Sequence, residues 1–359
     1  MGSGATIVLD RCTCTATSAS GRFRIGREAH TVRFDGVAPE PADVAEAYAA
    51  IAQLMGMEND QRVVSLPRLS PIFLRSIERF GEVHLSLFPH HHRAPIHALR
   101  RRDALVPDPD DRRVAAFFSG GVDSFNLIEE HGSEIDDLLF VRGFDVPVTD
   151  ADRGAEVLAL VEEAAAALHK PLIVVDTDLR EFSDPTCDWT WFSYAGLIAV
   201  SMLLGRTHRE VLCAASVADR HLPEQAVRQR SGPIGNRRAH LRIEGRTRTR
   251  VEKLAAVAAS GAARATLRVC WQNQPGTVNC GACHKCLRTA AALEATGMLG
   301  EIDTLPDAVD FDLLATHPAR TRSDRAYLDE IREVAVANGR DALAAALDAA
   351  LAAGGVAGP

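Results

Sequence analysis

Between residues 114 and 215, short unbroken apolar runs recur at regular intervals, and the stretches between them carry the three- and four-residue apolar spacing of helices. The runs predict strands over 114–118, 138–142, 171–176 and 210–215. The stretches between predict helices over 124–131, 151–168 and 189–204. Strands with no polar alternation are buried on both faces, so the expectation is α/β: a doubly wound parallel sheet with helices on both sides. Right-handed crossovers then put a ligand above the carboxyl ends of the strands, beside the first of them.

The flanks follow other rhythms. Residues 6–9, 22–25 and 31–34 read as short strands, with Phe23, Ile25, Val32 and Phe34 alternating as in a half-buried hairpin. Residues 41–55 read as an amphipathic helix whose apolar face carries Val44, Tyr48, Ile51 and Met55. A strand over 62–66, a helix over 71–80 and a strand over 82–88 complete an expected α+β accessory domain at 1–108. A linker rich in proline, aspartate and arginine leads into a second domain at 109–300. Within it, 217–250 lacks a clear period and contains Pro223, Gly232, Pro233, Gly235 and Gly245, which reads as a functional lid. A helix is expected from about 249 to 259, a strand over 267–271 and a helix over 287–294. Helices over 307–314, 323–338 and 341–352 make a C-terminal extension at 301–359. Its Leu313, Leu328 and Ile331 should pack back on the core, and it ends in an Ala-Gly tail.

A length of 359 residues suits two to three domains, and 47% apolar content supports a sizeable core. The net charge of −8 gives no general attraction for a polyanion, so nucleic acid is not an expected partner. Only three of the 40 basic residues are lysine (Lys170, Lys253 and Lys285), so a cluster of arginines says less here than usual. The longest central apolar stretch, 195–204, is shorter than the about 20 residues a membrane helix needs. No signal peptide is evident. Met1 and Gly2 formally fit a myristoylation pattern but lead straight into a strand. A cytoplasmic location is therefore expected. Its eight cysteines would stay reduced, and clustered ones then read as metal ligands.

Two places carry candidate chemistry. The first strand runs into Ser119, Gly120, Gly121, Val122, Asp123 and Ser124, which open the next helix. Two glycines let the backbone approach a ligand closely, and a helix start offers unpaired N–H groups to an anion. Ser119 and Ser124 can add hydroxyl donors, and Asp123 can cap the helix or help hold magnesium. The second place is Cys270, Cys280, Cys283 and Cys286, with Gly281 easing the bend between overlapping Cys-x-x-Cys steps. Four thiolates favour a closed, structural zinc site that pins the loop. An iron–sulfur cluster or uncoordinated thiols are the alternatives. Lys285 and Arg288 stand beside it and can offset its negative charge. Cys12 and Cys14, and the run His90, His91 and His92 with His84 and His97 nearby, are weaker metal candidates.

Residues 119–124 resemble the Ser-Gly-Gly-x-Asp-Ser signature of the PP-loop ATP pyrophosphatases, and no Gly-x-x-x-x-Gly-Lys-Ser/Thr loop occurs in the chain. The resemblance implies a HUP/PP-loop type sheet and binding of ATP with magnesium. It further implies adenylation of a substrate oxygen with release of the pyrophosphate held by Ser119, Gly120, Gly121, Val122, Asp123 and Ser124. Gly143 and Phe144, at the end of the second strand, should lie near the adenine by sheet geometry as well as by the resemblance. Asp145, Asp176 and Asp178, after their strands, are candidates for magnesium or ribose, with ordinary helix caps as the alternative. Those enzymes contact phosphate through a threonine-lysine pair at a helix start. Here Thr249 is followed by Arg250, with Lys253 one turn on, and either cation can fill that place. Six arginines between 237 and 250 can also grip an anion.

The four-cysteine arrangement behind such a loop is similar to that of the 7-cyano-7-deazaguanine synthases, over roughly residues 113–295. Their Tyr-Pro-Asp-Cys-Arg segment is missing from 216–224, so the adenylation chemistry is expected to carry over without the deazaguanine substrate. The leading expectation is a ligase-like enzyme that activates a carboxylate or amide oxygen of a small molecule for ammonia or an amine, with a homo-oligomer possible. Sulfur transfer to tRNA or a metabolite through Cys187, or ATP binding without turnover, are the alternatives.

Overall fold

The computed structural model describes residues 5–102, 111–222, 224, 226, 227, 232–319 and 321–354. The myristoylation pattern at Met1 and Gly2, the domain boundary at 108/109 and the last residues of the Ala-Gly tail lie outside them.

Three strands open the chain: β1 (Thr6–Cys14), β2 (Ser18–Ile25) and β3 (Glu28–Asp35). They form an antiparallel meander in which Phe23, Ile25, Val32 and Phe34 are buried while Arg22 and Arg24 are exposed. β1 runs past the expected end at residue 9, because pairing resumes beyond a bulge and continues to Cys14 opposite Ala19. α1 (Val44–Asn59) starts later than the expected 41 and buries Val44, Tyr48, Ile51 and Met55. It is not the one-faced amphipathic helix expected: every residue from Val44 to Met57 is buried, because the helix is enclosed between the sheet and the later helix Trp189–Leu203. Then come β4 (Arg62–Leu69), α2 (Pro71–Leu87) and β5 (Ile96–Arg100).

The expected strand over 82–88 is the second half of α2. Ser70 caps that helix through Phe73 N, and buried Phe73, Ile77, Phe80 and His84 continue one helical stripe through Gly81. The alternation of Val83, Leu85 and Leu87 is incidental to that stripe.

The alternating core follows as β6 (Arg113–Phe117), α3 (Val122–His131), β7 (Asp137–Arg142), α4 (Ala151–Ala167), β8 (Leu172–Thr177), α5 (Leu179–Ser183), α6 (Trp189–Leu203) and β9 (His208–Ala214). The stretch expected to be a lid is partly sheet: β10 (Ile234–Gly235) pairs with β11 (His240–Glu244), which lies parallel to β9. Leu241 and Ile243 are its buried positions, and a single apolar pair between charged residues is too short a signal to read as a strand. α7 (Arg250–Ala258), α8 (Gly261–Thr266), α9 (His284–Thr296), α10 (Phe311–Ala315), α11 (Arg322–Ala337) and α12 (Asp341–Ala353) complete the described residues. α10 starts later than the expected 307, where the Asp310 side chain caps Leu313 N.

All eleven strands form one sheet, in the order β10-β11-β9-β6-β7-β8-β3-β2-β1-β4-β5. The protein is thus α/β, with a large, mostly parallel, Rossmann-like sheet and twelve helices among the described residues. From β6 the chain steps outward to β7 and β8, then returns to add β9 and β11 on the other side. The strand order therefore reverses between β6 and β9, the position at which sheets of this kind form a crevice at the carboxyl ends. Successive residues of the central strands feed opposite cores: Val114 and Ala116 face the layer of α3, α7 and α9, whereas Ala115 and Val211 face that of α1 and α6.

Residues 6–100, expected as an accessory domain, add five strands to this sheet through β3 and β8, and α1 shares a core with α6. No described helix is long and apolar enough to cross a membrane.

Candidate functional site

The loop after β6 lies at that crevice. Gly120 adopts φ +73°, a conformation that strains any residue with a Cβ, and its carbonyl accepts from Arg268 N at 2.8 Å. Gly121 is the N-cap of α3 and supplies no side-chain cap, so the first N–H groups of the helix face the crevice end. Ser119 is exposed. Ser124 is buried, and its hydroxyl donates to Gly121 O at 2.9 Å, so it shapes the turn and is not the free donor expected of it. Val122 is buried in the core and contributes backbone alone.

Five cations converge on this loop. Asp123 pairs with Arg250 Nη1 at 2.5 Å and Lys253 Nζ at 3.0 Å. Burial pushes the Asp123 carboxyl up, but the two cations outweigh it and hold the group below its ordinary range. Lys253 is only 1% exposed and also donates to Ala215 O, the residue after β9. It therefore ties together both strands that flank the crevice. A capping box of Thr249 and Glu252 starts α7 and aims Arg250 and Lys253, and Glu330 of α11 accepts from Val251 N at 3.0 Å.

Arg268 reaches Asp145 at 3.4 Å. Lys285, open to solvent, lies within electrostatic range of Asp145, Arg250, Arg268 and Arg288. Arg288 stacks on Tyr327 with Cζ 4.5 Å from the ring, and Tyr327 donates to Ser216 O at 2.6 Å. Five cations against Asp123, Asp145 and Asp324 leave a positive excess that suits an anion.

Four thiols meet beside the crevice. The Sγ atoms of Cys270, Cys280, Cys283 and Cys286 all lie within 4.8 Å of one another, with Cys280 and Cys286 at 3.9 Å. An ion bonded to four sulfurs at about 2.3 Å would separate them by about 3.8 Å, so the set can hold one metal ion. The expected strand at 267–271 does not form. Its N–H groups go elsewhere: Val269 and Cys270 donate to Asn279 Oδ1 at 2.8 and 3.1 Å, and Arg268 to Gly120 O. Asn279 Nδ2 donates to Leu267 O at 2.8 Å and to Thr304 Oγ1 at 3.1 Å, which closes the loop. Gly281 takes φ +71° in the bend, and Cys283 is the N-cap of α9. This loop carries Arg268, and the helix it leads into, α9, carries Lys285 and Arg288 in its first turns, so the cysteine cluster adjoins three of the five crevice cations.

Sequence reasoning gave Arg268, Asn279, Tyr327 and Glu330 no part. Their only local signal is proximity to a cysteine for the first two, and the other two come from a helix more than 200 residues beyond the loop.

Other candidates are held elsewhere. Gly143 has φ +99°, and a Cβ there would lie 2.0 Å from Thr177 O. Phe144 turns its ring into the α6 layer, 5.0 Å from Trp189, so Asp145 is the residue of this turn that reaches the crevice cations. Asp176 is engaged by Arg142 in a two-point pair, and Asp178 accepts from Arg33 N at 2.7 Å and clamps β3 to β8. Both of these expected ribose or magnesium ligands therefore already have protein partners, and Asp176 also borders an open cavity. Of the arginines between 237 and 250, Arg242 pairs with Glu134, Glu210 and Glu244, Arg248 with Glu130, Arg246 with Asp219 and Arg238 with Asp43. Arg250 of this run reaches the crevice, through Asp123.

His84 Nε2 and His91 Nδ1 lie 2.8 Å apart, both buried. Among the described residues the four cysteines form the one cluster with metal-ligand spacing, so neither the histidine run nor Cys12 and Cys14 make a second. A cavity of about 270 Å³ lies over the ends of β7 and β8, bounded by Arg142, Val146, Asp150 and Asp176. Another of about 650 Å³ separates the cysteine loop from α10 and α11. Comparison with protein-family models, with curated proteins and with solved structures gives no match for this chain.

Proposed function

We propose that the crevice binds ATP by its phosphates and that the protein is an adenylating enzyme of the PP-loop pyrophosphatase type. The observation that carries this reading is the convergence of Arg250, Lys253, Arg268, Lys285 and Arg288 on a glycine turn and an uncapped helix start, at the reversal point of the sheet. Backbone N–H groups of Gly121 and Val122 with the Ser119 hydroxyl can cradle the terminal phosphates, while the cations neutralise the departing pyrophosphate.

A carboxylate or amide oxygen of a small molecule bonds to the α-phosphorus as the bond to the pyrophosphate oxygen breaks. Ammonia or an amine then displaces AMP from the activated carbon. The chain's contribution is alignment and fixed charge. Magnesium would arrive with the triphosphate, and Asp145, about half exposed at the crevice, is the carboxylate best placed to meet it. We assign zinc to the four thiols: with all four positions filled by sulfur it has no open site, and its role is to brace the loop.

Sulfur transfer is less well supported. Cys187 is buried, and burial followed by the Glu58 carboxylate pushes its thiol up to about 12, so it offers little thiolate. The test is substrate-dependent pyrophosphate and AMP release from ATP with a panel of carboxylates. Steady phosphate release without AMP would sink the adenylation reading, and tight ATP binding with no AMP over hours would leave a non-catalytic nucleotide binder.

A further inference from the structure

We infer that the cavity between the cysteine loop and the C-terminal helices binds a zwitterionic α-amino acid with a large apolar or aromatic side chain. Its volume, about 650 Å³, falls within the about 300–1,000 Å³ of small-molecule sites. Its wall presents both charges that such a ligand needs. Arg288 Nη1 stands 3.4 Å from Asp324 Oδ1, longer than a strong charged hydrogen bond, so each partner keeps capacity for another. The side chains of Arg288 and Asp324 are 12% and 27% exposed, and both line the cavity. A guanidinium and a carboxylate set side by side match a carboxylate and an ammonium held on one carbon.

A ligand with a single charge fits less well, because it engages one member of the Arg288–Asp324 pair and draws it from the other without compensating that second group. Trp271 is 52% exposed at this cavity, with its ring 5.4 Å from that of His284, and offers a planar flank to a side chain. Leu287, Leu314 and Leu328 form an apolar floor. Arg288 also belongs to the crevice cations, so a carboxylate bound to it would share a cation with the proposed phosphate site. That the amino acid is the group adenylated rests on the function proposed above; the charge-matched cavity does not.

Calorimetric titration of the full-length, metal-loaded protein with tryptophan, phenylalanine, phenethylamine and 3-phenylpropionate tests this. Saturable binding of the amino acids is expected, with each singly charged analogue at least ten times weaker. Asp324→Asn keeps an oxygen for the helix cap and should weaken tryptophan binding at least tenfold. Trp271→Ala, at an exposed position, should do the same with circular dichroism unchanged. Equal binding of either analogue, or no saturable binding by either amino acid, overturns the inference. A non-hydrolysable ATP analogue titrated in parallel separates the two readings: amino-acid binding without nucleotide binding removes adenylation alone, and the converse removes the cavity assignment alone.

Discussion

Gly120 and Lys253 show how much rests on single side chains. At φ +73° a methyl group at position 120 strains the turn by about 1–2 kcal/mol, and relieving that strain moves the carbonyl that holds Arg268. Gly120→Ala should therefore lower the melting temperature by a few degrees and weaken binding of an ATP analogue at least tenfold, both measurable on one preparation. Lys253→Met fills the same space but leaves Asp123 to Arg250 alone. Breaking a buried pair from one side costs about 3–5 kcal/mol, a sizeable part of a domain's stability, and urea denaturation would read it. A loss under about 1 kcal/mol would mean that Arg250 alone suffices for Asp123.

The cysteine loop acts as a unit because its backbone has no sheet ladder to hold it. Asn279 substitutes for the ladder, and Asn279→Ala strands the N–H groups of Val269 and Cys270 at about 1–3 kcal/mol each. Cys283→Ser should abolish stoichiometric zinc in an elemental assay. It should also weaken nucleotide binding, though Cys283 is not part of the glycine turn, because the loop and the first turns of α9 carry Arg268, Lys285 and Arg288. Unchanged nucleotide affinity in zinc-free protein would show that the cations are placed without the metal.

A single sheet runs from β10 to β5, so the layer of α1, α2 and α6 answers to the same unfolding event as the crevice layer. His84 and His91 lie in that layer. Burial, with the neighbouring histidines second, lowers His84 to about 3, and burial with His90 next lowers His91 to about 4. Both rings are neutral in the fold, while the unfolded chain takes up protons below its ordinary value of about 6.5. The stability this provides is complete above pH 6.5 and is lost as pH falls, down to about 4 for His91 and about 3 for His84. Denaturation midpoints over that range should drop, and His84→Gln should flatten the decline. An unaltered slope would place the proton uptake elsewhere.

Strands β6 to β9, the glycine turn and the Cys-x-x-Cys steps could be read from the chain because each depends on neighbouring residues: apolar period, allowed backbone angles and the reach of a short loop. Even there, an incidental alternation at Val83, Leu85 and Leu87 disguised a helix, and β11 had too few apolar positions to announce itself. The joining of the N-terminal strands to the core sheet, the engagement of Asp176 and Asp178 in ion pairs and strand clamps, and the meeting of Arg250, Lys253, Arg268, Lys285 and Arg288 required the folded chain. These depend on groups far apart in sequence, whose encounter is set by packing and charge balance in three dimensions and leaves no periodic trace.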